Sequence, residues 1–209
     1  MTDRYLSVPS PGLHEIEIRR SRFLCALAPV ADEAAAREAI AARRKAEPAA
    51  RHHCHAFVLG PDGRTQRSSD DGEPAGTAGI PMLEVLRRRA VTDTVAVVSR
   101  HFGGVLLGAG GLIRAYGQAV SEALDAVGVV EYRRLRLVEV EVDYTRAGRL
   151  ENDLRSSPYT LNETRFDATA HFEVGLGVGE EEPFAAWLAD LTGGEAVLTR
   201  LGEEWVRSA

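Results

Sequence analysis

Three segments carry residue types whose spacing suits chemistry. The first is Ser68-Ser69-Asp70-Asp71-Gly72-Glu73-Pro74-Ala75-Gly76-Thr77-Ala78-Gly79, with three acids, three hydroxyls and three glycines in twelve residues. Hydroxyls and unpaired backbone N–H groups ahead of a helix can hold an anion, here through Ser69, Gly72, Gly76 and Thr77. The acids Asp70, Asp71 and Glu73 can instead bind Mg²⁺ or act as a general base. A plain solvated loop with a helix cap explains the same composition. The second segment is Gly103-Gly104 followed by Gly108-Ala109-Gly110-Gly111-Leu112. Its glycines let backbone approach a ligand closely, and a helix that starts there presents unpaired N–H groups and the positive end of its dipole. It matches neither the dinucleotide fingerprint nor the P-loop, which ends in Gly-Lys-Ser/Thr. Tight packing of a loop on a sheet also explains it. Arg100, His101 and Arg114 flank this loop and would supply positive charge to a phosphate, or form a solvated rim.

The third segment is Arg51-His52-His53-Cys54-His55. On a strand, His53 and His55 point to one side and His52 and Cys54 to the other, so the four cannot share one metal ion. A zinc site would have to borrow His101 or Asp70, and the spacing fits no standard zinc pattern. No metal site is assigned, and no cofactor is expected. A Cys/His nucleophile pair has no better support, so no catalytic residue is assigned.

The elements that must position these segments follow from periodicity. Residues 14–29 read as extended, with a turn near Ser21. Residues 31–47 read as a helix, with Asp32 near its start and Pro48 past its end. Cys54 to Leu59 and Arg64 to Ser68 form a hairpin across Gly60-Pro61-Asp62-Gly63. Pro81 suits the first turn of a helix running to about Arg89. Thr94 to Val98 is a β-branched central strand. Leu112, Ile113, Tyr116, Val120, Ala123, Leu124 and Val127 form a helical stripe closed by Gly128. After that come strand 135–144, helix 145–156, strands 159–164 and 167–178, helix 181–191 and strand 196–205. This β-α-β-β-α-β order is ferredoxin-like. The boundary near 128–134 divides the chain into residues 1–130 and 131–209, an α+β protein of two domains.

Composition bounds the function classes. No stretch approaches the roughly 20 apolar residues of a membrane helix, and Met1 to Pro11 has no signal-peptide pattern. Cys25 and Cys54 are too few for a disulfide framework, so a cytoplasmic location and no membrane partner are expected. The net charge of −6 argues against a uniformly basic nucleic-acid binder. Residues 1–128 hold 16 Arg and Lys against 15 Asp and Glu, a net of +1, and residues 129–209 hold 9 against 16, a net of −7. The first half is therefore the face for a polyanion, and the acidic second half is suited to a protein partner.

Taken in order, residues 51–56, SSDDGEPAGTAG at 68–79 and RHFGGVLLGAGGLIRAYG at 100–117 resemble the signature of the YigZ/IMPACT family. The resemblance covers residues 15–128, and the second half is consistent with the smaller second domain of bacterial members. It implies a two-layer α/β first domain like domain 2 of ribosomal protein S5. The pair of domains is similar to two adjacent domains of elongation factor G. RNA or ribosome binding and regulation of translation follow as family-level expectations, with a small-phosphate or nucleotide ligand and Mg²⁺ as the alternative. Eukaryotic relatives dampen the translational stress response by interfering with activation of an initiation-factor kinase. They use an additional protein-binding domain ahead of the motifs, which begin here almost at once, so that role is not carried over. Family members often have an aromatic residue at the position of His55, a Tyr at His101 and a Thr at Ala109. If bases stack here, Phe102, Tyr116 and Phe57 are the aromatic residues left to receive them.

Overall fold

Alternating apolar residues in the first half become strands, and the 3.6-residue stripes become helices. The computed structural model describes residues 2–208; Met1 and Ala209, the outer limits of the two domain ranges, lie outside the described residues. The chain divides into units Met1–Glu131 and Tyr132–Ala209.

The first unit contains β1 (Arg4–Ser7), β2 (Gly12–Ile18), β3 (Ser21–Pro29), α1 (Glu33–Ala46), β4 (His52–Leu59), β5 (Thr65–Ser69), α2 (Gly79–Arg88), β6 (Thr94–His101) and α3 (Ala109–Val127). Strands β2-β3-β6-β4-β5 lie side by side in that order, all neighbours antiparallel. The β2–β3 turn uses Arg19 and Arg20, both at positive φ, two residues earlier than Ser21. The short strand β1 falls in a segment whose sequence pattern gave no strand.

Central strand β6 is buried on both faces. Ala96 and Val98 join the cluster under α2 and α3, with Phe23, Cys25, Cys54, Ala56, Met82, Leu86, Leu112, Tyr116 and Val120. Val95 and Val97 join a smaller cluster with Phe57, Leu59 and Ala36 of α1. The two layers formed by the sheet with α2 and α3 are thus completed by α1 on the opposite face. Each such buried Val, Leu or Phe contributes about 1.5–3 kcal/mol relative to exposure. Burial pushes the Cys25 and Cys54 thiols up to about 12, so both behave as small apolar fillers.

Caps set the helix ends. Asp32 accepts from Ala35 N at 2.8 Å at the start of α1. Gly128, at φ +81°, stops α3 and donates its N–H to Leu124 O. Val85 lies against Gly117, and Arg89 reaches Asp125, so α2 and α3 run in the same direction and their N-termini share one end.

The second unit contains β7 (Val130–Val142), α4 (Tyr144–Arg155), β8 (Thr160–Phe166), β9 (Ala170–Leu176), α5 (Glu181–Thr192) and β10 (Val197–Arg207). Its strands lie in the order β10-β7-β9-β8, all antiparallel, which is the ferredoxin-like arrangement. Val138, Val140, Phe172 and Val174 pack against Leu150, Leu154, Phe184 and Leu188 of its two helices. Surface acids are extensively paired within the unit: Arg165 bridges Glu139 and Asp167, and Glu181 takes Arg136 and Arg200. No helix among the described residues is long and apolar enough to cross a membrane.

Candidate functional site

Strand register brings the three segments to one end of the first unit. His52 of β4 pairs with Arg100 of β6, and His55 pairs with Ser69 at the end of β5. The histidine run, the acidic loop and the start of the second glycine-rich loop therefore emerge from adjacent strands. Both β4 and β6 are longer than their apolar runs, so Arg100 and His101 lie on a strand rather than in a loop.

The join between the segments is a buried carboxylate. Glu73 Oε1 accepts from Arg100 Nη1 at 2.7 Å and from the Tyr116 hydroxyl at 2.8 Å. Tyr116 is fully buried and Arg100 is 7% exposed. Arg100 lies over the Phe23 ring at 5.5 Å and the Phe102 ring at 5.6 Å, and Phe23 meets Tyr116 edge to face. Burial, with the neighbouring Cys54 and Glu73, pushes the Tyr116 phenol far above its ordinary value, so it stays a donor. Glu73 comes from the first glycine-rich loop, Arg100 from the end of β6 and Tyr116 from α3.

Asp70 closes the start of α2. The cap residue Ala78 has no side chain that can cap, and Asp70 supplies one from upstream. Its Oδ1 accepts from Ala78 N at 3.0 Å and Gly79 N at 2.8 Å, and its Oδ2 from Gly76 N at 2.8 Å. Partial burial raises the carboxyl, but the amides of Gly76, Gly79 and Ala78 outweigh it and hold it below the usual range. Asp71 accepts from His53 N at 2.6 Å and from Arg44 at 2.8 Å. Burial opposes ionisation there too, and the Arg44 guanidinium and the His53 amide reverse it. Gly79 packs so closely on Ser69 that a Cβ would sit 2.7 Å from its nitrogen.

The second helix start is the opposite case. Helix α3 begins at Ala109, three residues before the apolar stripe, so the glycines form its first turn. Gly108 is the cap at φ +72°, ψ 168°, a glycine conformation, and provides no side-chain bond. The first closing bond is Leu112 N to Gly108 O, and among the described residues the N–H groups of Ala109, Gly110 and Gly111 have no partner. Ala109 and Gly110 are exposed. A Cβ at Gly110 would meet nothing within 4 Å, whereas one at Gly103 would strike the Arg20 carbonyl oxygen at 1.9 Å. Packing thus requires Gly103 but not Gly110. Arg114, one turn further along α3, is exposed and forms no ion pair among the described residues. Beside this loop a depression of about 220 Å³ is lined by Arg51, His52, Arg100, Phe102 and Leu106.

The candidate residues therefore separate. Gly104, Gly108, Gly110 and Arg114 face solvent at the open helix start, and Gly111 is half-buried there against Leu107. Arg100 and Tyr116 are committed to Glu73, so Arg100 is not a free phosphate ligand and Tyr116 cannot stack a base. Phe57 is also buried, on the α1 face, which leaves Phe102, 51% exposed, as the accessible ring. His101 sits on the α1 face and bonds Glu47 at 3.1 Å, away from Arg100. Ser69 accepts from Asp71 N, and Thr77 donates to Pro74 O, both within the loop. Gly72 lies against His52. The acids that could have held Mg²⁺ each accept from protein donors. Among the described residues no group of three or more His, Cys, Asp or Glu is placed to hold a metal ion. Arg51 and His52 were visible only as part of the histidine run. The strand alternation that set His52 on the Cys54 face was a signal for His52 alone, and Arg51, which precedes the strand, had none.

A two-domain α+β protein with this join and this open helix start is the class that fold and site define. The Impact N-terminal domain matches residues 19–124, and the Domain of unknown function (DUF1949) matches residues 140–195. The chain is 46% identical to IMPACT family member YvyE of Bacillus subtilis over 94% of this chain and 90% of that protein. It is 38% identical to IMPACT family member YigZ of Escherichia coli over 90% and 93%. A crystal structure of a hypothetical protein matches with a TM-score of 0.64 at 35% identity, over 96% of this chain and 98% of that one. The chain belongs to the IMPACT family.

Two predictions follow from the bonds themselves. Arg100→Met leaves Glu73 buried without its cation and should cost about 3–5 kcal/mol in urea unfolding. The double variant Glu73→Gln/Arg100→Met should recover part of that loss; no recovery would show that the pair is not the origin. Asp70→Asn should cost about 2 kcal/mol at pH 7, through lost amide acceptors at α2. Because folding lowers the Asp70 pKa, its stabilisation is full above the unfolded value of about 3.9 and is lost as pH falls through the folded value. The variant should therefore show a shallower loss of stability below pH ~4 than the parent, measured by denaturant titration across pH.

Proposed function

We propose that this chain is a translation-associated RNA- or ribosome-binding module that grips phosphate at the start of α3. The observation that carries this reading is the set of N–H groups at Ala109, Gly110 and Gly111, exposed at the first two and unpaired among the described residues, with the exposed Arg114 one turn beyond them. A nineteen-residue helix presents the positive end of its dipole there, and the glycines keep its first turn bare. The companion helix cannot serve, because Asp70 already occupies its amides. The family's similarity to ribosomal and elongation-factor domains supplies the translational context. The near-neutral first unit sets the charge locally rather than globally, so association should be weak and strongly salt-dependent. The phosphate reading needs no general base, and Asp70, Asp71 and Glu73 are all engaged in holding the fold.

Binding of a labelled single-stranded RNA, and of ribosomal subunits, measured across salt concentration tests this directly. Arg114→Ala should weaken binding to all sequences alike and reduce the log–log salt slope by about 1. Gly110→Ala should keep or raise the melting temperature, since alanine favours a helix by up to about 1 kcal/mol, while weakening binding by covering the amides. Unchanged RNA affinity in both variants would contradict the proposal.

A further inference from the structure

The depression beside the open helix start has a composition that phosphate binding does not explain. Its residues come from two segments: Arg51 just before β4 and His52 at its start, and Arg100, Phe102 and Leu106 from the end of β6 and the loop after it. Its volume of about 220 Å³ lies below the range of drug-sized pockets, which suits one flat ring system rather than a whole cofactor.

The polar groups have defined roles. His52 Nδ1 lies 2.9 Å from the Asp71 carbonyl oxygen. A carbonyl oxygen only accepts, so Nδ1 carries the proton and Nε2 presents a lone pair. Arg51 is exposed and has no ion-pair partner among the described residues. Arg100 is held in place by Glu73, and its Nε is buried without a partner. The apolar groups are Phe102, 51% exposed with Arg100 over its ring, and Leu106, 81% exposed. Two exposed apolar side chains thus lie beside an unpaired guanidinium and one oriented acceptor, the combination of apolar surface and few polar groups that fixes a ligand's orientation.

We infer that this depression receives a single unstacked guanine base, with Phe102 as its stacking surface. Arg51 supplies the planar fork that matches the adjacent O6 and N7 acceptors of guanine. The His52 Nε2 lone pair is the complementary acceptor for a ring or exocyclic N–H. Base–aromatic stacking on Phe102 supplies affinity, and the cation over the same ring strengthens it. This deepens the proposed function, on which it rests for the source of the base. The sugar-phosphate of a single strand would continue from the depression toward the α3 amides. Free guanine nucleotide has the same ring chemistry and is the alternative source.

The test uses the full chain and fluorescence anisotropy with labelled oligouridine, with and without one central guanosine or adenosine. Free GMP and AMP are titrated separately by calorimetry. The guanosine oligomer should bind more tightly than its adenosine or all-uridine counterparts. Phe102→Ala should lose that preference and about tenfold in affinity with its salt slope intact, and Phe102→Trp should restore both. Arg51→Ala should abolish the preference for guanosine over adenosine. Arg114→Ala should change the salt slope and leave the preference, which separates base reading from phosphate gripping. Oligomer binding that ignores base identity and is unaffected by Phe102→Ala overturns the base pocket and leaves the phosphate reading standing. GMP binding without oligomer binding supports the pocket and sinks the RNA reading. Binding of neither overturns both.

Discussion

A single buried carboxylate holds this site together. The acidic loop, the end of the central strand and the long helix meet at Glu73, through its own backbone, Arg100 and Tyr116. A lone buried anion would be prohibitively costly in such a place. With a guanidinium and a phenol on the same oxygen it becomes a fixed point that penalises any alternative packing. The loop that carries it cannot drift from the helix, and Arg100 cannot swing out to solvent. Phe102 is placed by the same bond, because Arg100 lies over its ring.

Given that fixed point, the two parallel helices are finished in opposite ways. The start of α2 is closed by Asp70, which satisfies three amides with one carboxylate. The start of α3 is left unclosed by a glycine cap and a bare first turn. Proteins usually satisfy helix N-terminal donors with a nearby side chain, so a pair with one closed and one open end implies different duties. The closed end is architecture. The open end, beside an unpaired arginine and an exposed ring, is where a ligand finds unused hydrogen-bond capacity.

Much of this was legible in the residues. Asp32, Gly128, the Gly60–Gly63 turn and the β-branched run at 94–98 marked their elements directly, because caps, turns and buried strands are local chemistry. The ferredoxin-like order of the second unit could be read from its alternation of periods. The site was legible as segments but not as roles. Arg100 and His101 read as rim residues because exposure is set by register, which a single strand does not reveal, while Tyr116 already stood in the apolar stripe of its helix, which argued against a stacking role. His52 faces Arg100 only because β4 pairs with β6 in that alignment. The glycines at 108–111 read as a loop because their helix propensity is poor, yet they form a first turn. There the helix behind them fixes the backbone and local propensity is overridden. Asp70 looked like a ligand for metal because a carboxylate's partner amides, six to nine residues away, are invisible until the loop folds back.

The most direct measurement is residue-resolved amide hydrogen exchange by NMR, without and with a single-stranded RNA oligomer. In the free protein, the amides of Gly76, Ala78 and Gly79 should exchange slowly, and those of Ala109, Gly110 and Gly111 should exchange as fast as solvated chain. Oligomer should slow the second group and leave the first unchanged. Slow exchange at 109–111 in the free protein, or no response there to bound RNA, would contradict the account.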